Sequence, residues 1–401
     1  YKAIVWQCRR TQNYCNKLIK SNYNDLINEK TGLVIDSYFS STKIQWILDN
    51  VPNGQNDAKQ GKLAFGTIDT WILWKLTNGK SHLTDYTNAS RTMLFNINTM
   101  QWDNELLNIF QIPKAILPKV RKSNDLFGKT NKNIFGKSIP ITAIIGDQQA
   151  ALYGQGCFNK GEIKCTYGTG SFILVNTGQD RINSSSNLLT TIACDKKGLP
   201  IYAIEGSIFT GGALIQWLRD ELNLISTADE TEKIALSILD TNGVSIVPAF
   251  TGLGAPHWNM KATGTIIGLT RGSNKKHIIR ACLESIAFQV YDLMRSISND
   301  FKYKINTINV DGGASNNNFL MQFQSNIMNL NINRKKNIES TALGACLLAG
   351  IGSGLWNNPD EVDCINNNQK QFTPKINQKE RNELLLKWEK AIKTTLYSAS
   401  L

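Results

Sequence analysis

The feature that most constrains this chain is a strand-to-helix joint that ends in a carboxylate. The run Ile139-Pro140-Ile141-Thr142-Ala143-Ile144-Ile145-Gly146 is apolar and strand-like, and Asp147 leads straight into helix-forming Gln148-Gln149-Ala150-Ala151-Leu152. In α/β folds such a joint faces the crevice beyond the carboxyl ends of the strands, where ligands bind. Asp147 can take a proton from a substrate hydroxyl there, or it can do no more than cap the helix. Position alone leaves both open.

The same pattern recurs along the chain. Residues 162–167 and 172–176 are β-type runs flanking Gly168-Thr169-Gly170-Ser171, which predicts a hairpin. A β-type run over residues 305–310 ends in Asp311-Gly312-Gly313, and a helix follows with Phe319, Phe323 and Ile327 at four-residue spacing. Helices are also predicted over residues 11–29, 42–50, 213–222 and 277–297, with Ile44, Ile47 and Leu48 on one face of the second. Residues 63–76 predict another, interrupted by Asp69 and Thr70. Residues 2–6 read as a strand in progress, and the glycine- and lysine-rich residues 125–138 as a loop. Strands alternating with helices argue for an α/β fold, and there is no solenoid-type repeat.

With 401 residues the chain can bury a large core and divide in two. Gly154, Gly156 and Gly161 cluster around Asn159-Lys160, which places a boundary there and gives domains of residues 1–156 and 157–401. The formal charge of +12 raises nucleic acid or a membrane surface as partners. The lysines are scattered, however, often beside asparagine as in Asn131-Lys132-Asn133, with no aromatic-interleaved basic stripe. Neither partner is expected, and no apolar run approaches the roughly 20 residues of a membrane helix. Eight cysteines stand singly, Cys346 and Cys364 among them, without a C-x-x-C pair. Those in apolar stretches, such as Cys346, read as small core residues in a reducing compartment. Three widely separated histidines cannot form a histidine-rich metal site.

Two glycine-rich turns carry further chemistry. Backbone N–H groups of the Gly168–Ser171 hairpin can approach an anion such as a nucleotide phosphate, aided by hydroxyls of Thr169 and Ser171; an ordinary glycine hairpin is the alternative. Gly312-Gly313 permits close approach of a flat ligand such as adenine, with Asn317 or Asn318 bonding to it. The plain alternative is a strand-to-helix turn with Asn318 as N-cap. Gly211-Gly212 ahead of Gln216 is a weaker signal of the same kind, and Gly344 and Gly350 would allow close packing. No Walker phosphate loop, dinucleotide fingerprint or G-x-S-x-G elbow is present.

Taken in order, these segments resemble the FGGY family of carbohydrate kinases over essentially the whole chain. The likeness is carried by Trp6-Gln7-Cys8-Arg9-Arg10-Thr11, Thr31-Gly32-Leu33 with Tyr38-Phe39-Ser40, and Gly66-Thr67-Ile68-Asp69-Thr70-Trp71. It continues through Thr84-Asp85-Tyr86-Thr87-Asn88-Ala89-Ser90-Arg91-Thr92, Gly146-Asp147-Gln148-Gln149-Ala150, Tyr167-Gly168-Thr169-Gly170, Pro248-Ala249-Phe250-Thr251-Gly252-Leu253-Gly254-Ala255-Pro256 and Asp311-Gly312-Gly313. The resemblance implies an actin-like ATPase fold, two RNase H-like domains around a cleft. It also implies ATP- and Mg²⁺-dependent phosphorylation of glycerol to sn-glycerol 3-phosphate, with Asp147 as general base. Trp6, Tyr38, Asp147, Gln148 and Phe172 would line the glycerol pocket; Thr169, Gly212, Gln216, Gly313 and Asn317 would contact the nucleotide. Glycerol's carbon chain suits Trp6 and Phe172, and its hydroxyls suit an acceptor such as Asp147. A cytoplasmic homo-oligomer, dimer or tetramer, is implied as well.

Two departures from the family pattern set further expectations. Members begin with a D-x-G-T-[ST] phosphate loop and then an Arg-Glu pair, neither of which precedes Tyr1. The first domain is therefore expected to be N-terminally incomplete and to hold no metal ligand. The 401-residue chain alone is expected to have little kinase activity, and the missing segment to restore it. In some members a glycine-rich loop with an arginine, just before the base, binds fructose 1,6-bisphosphate. Here Asn133-Ile134-Phe135-Gly136-Lys137-Ser138 is short, with Ser138 near the arginine position, so inhibition by that sugar is expected to be weak.

Overall fold

The computed structural model describes residues 1–362, 365 and 368–401; Cys364 lies outside them. Its centre is a seven-stranded sheet. The strands are β1 (Ile163–Tyr167), β2 (Ser171–Gly178), β3 (Leu189–Cys194), β4 (Pro200–Ile208), β5 (Thr307–Asp311), β6 (Asn331–Lys335) and β7 (Asn368–Phe372), in the order β7-β6-β5-β1-β2-β4-β3. The four strands β1, β2, β4 and β3 pair antiparallel in turn, while β5 runs parallel to β1 and β6.

Strand alternation gives this sheet two unlike faces. One carries Ile163, Cys165, Tyr167, Ile173, Val175, Ile204, Ile308 and Val310 into the main core. Helices α4 (Lys275–Asp300), α5 (Asn318–Met328) and α7 (Gln378–Ser398) contribute Leu283, Phe323 and Trp388 to that core. The register puts Lys164, Thr166, Phe172, Leu174, Glu205, Ser207 and Asp311 together on the opposite face. There Leu174 packs with Leu152 of α1 (Asp147–Gly154). Helix α6 (Ser340–Gly352) crosses α1 so closely that a Cβ on Gly344 would lie 1.9 Å from the Ala150 carbonyl oxygen.

The first part of the chain builds a separate core from Leu18, Ile27, Leu33, Phe39, Ile44, Leu48, Leu106 and Phe110. Three short strand pairs also lie in this part: Leu83–Asp85 parallel to Lys119–Arg121, Phe95–Asn96 antiparallel to Gln101–Trp102, and Asn124–Lys129 antiparallel to Pro140–Ala143.

Several sequence expectations need correction. Residues 2–6 form no strand; they pair with none, and Val5 is 61% exposed. Residues 11–29 break into Gln12–Lys20 and Asn24–Thr31, because Asn22 adopts a left-handed conformation. Residues 63–67 are not helical; the helix is Ile68–Leu76, and Asp69, bonded to Thr67 and Thr84, sits in its first turn rather than interrupting it. The supposed loop over 125–138 holds a strand and the short helix Lys132–Phe135, its edge satisfied by Pro140–Ala143. Cys346 is exposed, since α6 buries Ser340, Gly344, Leu347 and Leu348 and turns Cys346 away from that stripe.

Candidate active site

The strand-to-helix joint at Asp147 is tightly fixed. The Gly146 N–H donates to Thr87 Oγ1 at 2.7 Å, and the Thr87 hydroxyl donates to Asp85 Oδ2 at 2.6 Å. Asp85 is fully buried and caps the helix Tyr86–Ala89 through the N–H groups of Thr87 and Asn88. Gly146 occupies the N-cap of α1, so Asp147 is a first-turn residue and not the cap. Its exposed carboxylate accepts from the Gln148 N–H at 2.8 Å and, more weakly, from Gln148 Nε2 at 3.4 Å. An exposed acceptor at a helix N-terminus has free lone pairs for a hydroxyl proton.

Tyr38 lies within reach of the Asp147 charge. Trp6 and Tyr38 meet edge-to-face with ring centroids 5.4 Å apart. Lys43 holds both from behind, donating to the Trp6 carbonyl at 3.3 Å and the Tyr38 carbonyl at 3.1 Å. Burial pushes the Lys43 ammonium down to about 8. Arg91 lies over the Tyr38 ring at 5.8 Å and pairs with buried Glu205 of β4 at 2.8 Å. Burial raises the Tyr38 phenol; Arg91 opposes that, and the charges of Glu205 and Asp147 add to it, so these groups share one electrostatic neighbourhood. Gln148 Oε1 accepts from Lys164 Nζ at 2.6 Å, and Phe172 shares the sheet face of Lys164 and Glu205.

On the other side of the β1–β2 hairpin lies a cavity of about 470 Å³. Thr169, Gly212, Gln216, Gly313 and Asn317 all line it. The hairpin is clamped to the start of α2 (Gly212–Asp220), with the Gly211 N–H on the Thr169 carbonyl and the Gly212 N–H on the Gly168 carbonyl, both at 2.8 Å. Gly312 turns at φ 83°, where a Cβ would lie 2.5 Å from the Tyr167 carbonyl oxygen. A Cβ on Gly313, in contrast, would meet nothing within 4 Å. Asn317, not Asn318, caps α5 by accepting from the Leu320 N–H at 2.9 Å, and its Nδ2 donates to Thr231 Oγ1 of α3 (Glu230–Leu236).

Sequence reasoning assigned no role to Lys43, Lys164 and Glu205, nor to Arg91, which it held only within a family motif, nor to Arg219 and Glu232, which line the cavity. One signal was available. In β1, Lys164 and Thr166 alternate with Ile163, Cys165 and Tyr167, which marks a strand whose second face is polar and turned toward the site. Among the described residues no group of three or more metal-ligating side chains occurs.

A two-domain α/β fold of the actin-like ATPase type, with an exposed carboxylate at the start of α1 and a cavity of about 470 Å³ against the β1–β2 hairpin, defines a small-molecule kinase. The profile of the FGGY family of carbohydrate kinases matches with its N-terminal domain over residues 1–154 and its C-terminal domain over residues 163–353. The chain belongs to that family. It is 53% identical over 392 residues to a glycerol kinase of Clostridium botulinum, covering 98% of this chain and 79% of that one. A glycerol kinase of Thermoanaerobacter is 52% identical over 396 residues, 99% of this chain and 80% of that one. The crystal structure of Plasmodium falciparum glycerol kinase with ADP superposes with a TM-score of 0.91 at 39% identity, covering 99% of this chain and 79% of that one. A xylulose kinase from Lactobacillus acidophilus, 24% identical with a TM-score of 0.85, shares the fold.

Proposed function

We propose, against the expectation of little activity, that this chain transfers the γ-phosphoryl group of ATP to glycerol, giving sn-glycerol 3-phosphate and ADP. The observation that carries this reading is the Asp147 carboxylate, exposed at the start of α1 in the electrostatic neighbourhood of Tyr38, which packs on Trp6. Glycerol's carbons pack on Trp6, Tyr38 and Phe172, and its hydroxyls bond to Asp147 and Gln148. Asp147 accepts the proton of the attacking hydroxyl as its oxygen bonds to the γ-phosphorus and the bond to ADP breaks. Thr169, Gly212, Gln216, Gly313 and Asn317 hold the nucleotide in their cavity.

Mg²⁺ is bound in such sites by one or two carboxylates plus substrate phosphates, and it neutralises charge on the phosphates. This chain fits that pattern through Asp311 of β5, whose buried Oδ1 has no hydrogen-bond partner. Asp311 would complete a coordination supplied mainly by the nucleotide, leaving Asp147 free as the base.

In this reading residues 1–156 supply the glycerol side and residues 157–401 the nucleotide side. The protein works in the cytoplasm as a dimer or tetramer. No described helix is long and apolar enough to cross a membrane. The decisive experiment is ADP release from ATP with glycerol, xylulose and gluconate in parallel, with product chirality checked. Glycerol should be the preferred acceptor by at least tenfold in kcat/KM. Preference for either sugar overturns the assignment.

A further inference from the structure

We infer that Lys164 is a positioning residue of the glycerol site, fixing the Gln148 carboxamide so that its N–H₂ faces Asp147 and the substrate. The inference rests on the proposal that glycerol binds beside Asp147 and Gln148.

Lys164 lies mid-strand in β1 and is fully buried. An ammonium there is costly, and an aliphatic side chain would be cheaper for folding alone. Burial pulls its pKa down, against the pull of Asp311, Glu205 and Asp147, so the charge sits among carboxylates from three elements. Its Nζ donates to Thr166 Oγ1 at 3.0 Å and to Gln148 Oε1 at 2.6 Å.

The second bond has a directional consequence. An ammonium has donors and no acceptor, so only the oxygen of the carboxamide can face it. Nε2 must then point the other way, and it lies 3.4 Å from Asp147 Oδ2. Without Lys164 the amide could turn over, presenting its oxygen beside the carboxylate. With Lys164 in place, an acceptor and a donor stand side by side. A vicinal diol matches that pair: one hydroxyl gives its proton to Asp147 while its neighbour's oxygen accepts from Gln148 Nε2. Lys164 thereby ties the sheet to the helix that carries the base, without touching substrate.

The test uses Lys164→Met, Lys164→Arg, Gln148→Ala and the Lys164→Met/Gln148→Ala double variant, with melting curves to verify folding. Glycerol affinity is followed by calorimetry, and KM and kcat by ADP release. Lys164→Met should weaken glycerol binding about tenfold, which equals about 1.4 kcal/mol, with KM for ATP changed less than twofold. Lys164→Arg should recover most of the loss. The double variant should bind no more weakly than Gln148→Ala alone, because both changes remove one interaction. Unchanged glycerol affinity in Lys164→Met, or losses that multiply in the double variant, overturn the inference. Failure of the unmodified protein to bind glycerol instead removes the substrate assignment. The crystal structure of Lys164→Met then decides: a carboxamide that keeps its orientation refutes the role of Lys164, and one that turns over supports it.

Discussion

Asp147 and Lys43 show how single groups in this site are tuned by what surrounds them. Asp147 is exposed and bonded only through Gln148, so replacing its acid–base chemistry leaves the local structure in place. Asp147→Asn should cut kcat by about 10²- to 10⁴-fold, the usual weight of a general base, with glycerol affinity changed less than tenfold. Equal loss in both parameters would assign Asp147 to binding. Lys43 is 6% exposed, and burial holds it at about 8. Unfolded lysine titrates near 10.4. Between these values the unfolded chain binds more protons than the folded one, so raising the pH stabilises the fold; below about pH 8 the cost of burying the charge is present in full. Lys43→Met lacks this term. The unfolding free energy of the unmodified protein minus that of Lys43→Met should therefore climb between pH 8 and 10, by at most about 1.4 kcal/mol per pH unit. A flat difference in urea titrations across that range excludes the buried charge as its source.

At the scale of elements, the cavity proposed for the nucleotide is built from turns whose backbones touch. The Gly312 turn rests on Tyr167, and the hairpin rests on the start of α2. Gly313 differs, since space lies open beyond it. Gly313→Leu should melt within a few degrees of the unmodified protein yet bind ADP at least tenfold more weakly, because its side chain fills the cavity. Retained ADP affinity would remove Gly313 from the binding wall. Such turns were legible in the sequence because glycine spacing and strand periodicity are local. The hairpin, α2, α5 and the joint at Asp147 were all read that way. Lys164, Arg91 and Glu205 were not, since each owes its role to a partner at least 16 residues away: Gln148 for Lys164, and each other for Arg91 and Glu205. The strand over 124–129 was missed for a similar reason, because it is held by pairing with Pro140–Ala143, more than ten residues on. Asn317 and Asn318 are chemically equal as caps, and only the geometry of the turn after Gly313 selects the first.

Across the whole molecule, the segment from Thr84 to Thr92 acts as the strap between the two halves. Asp85 and Thr87 hold Gly146, Ser90 lies 3.2 Å from Thr191 on β3, and Arg91 reaches Glu205 on β4. Glu205 is fully buried, so the pair is a desolvated ion pair joining the domains. Removing one member of such a pair strands a charge and costs about 3–5 kcal/mol, whereas replacing both with apolar groups is often near neutral. Arg91 has a second proposed task, because its guanidinium lies over the rings of Tyr38 and Phe39, where glycerol is proposed to bind. The two tasks separate in a variant series. Arg91→Met alone should lower the melting temperature sharply. Arg91→Met/Glu205→Leu should regain most of that stability and still bind glycerol more weakly than the unmodified protein, since nothing restores the cation over Tyr38. If the double variant melts as low as the single one, the pair is not the strap between the domains. If it regains glycerol affinity along with stability, Arg91 serves the fold and not the site.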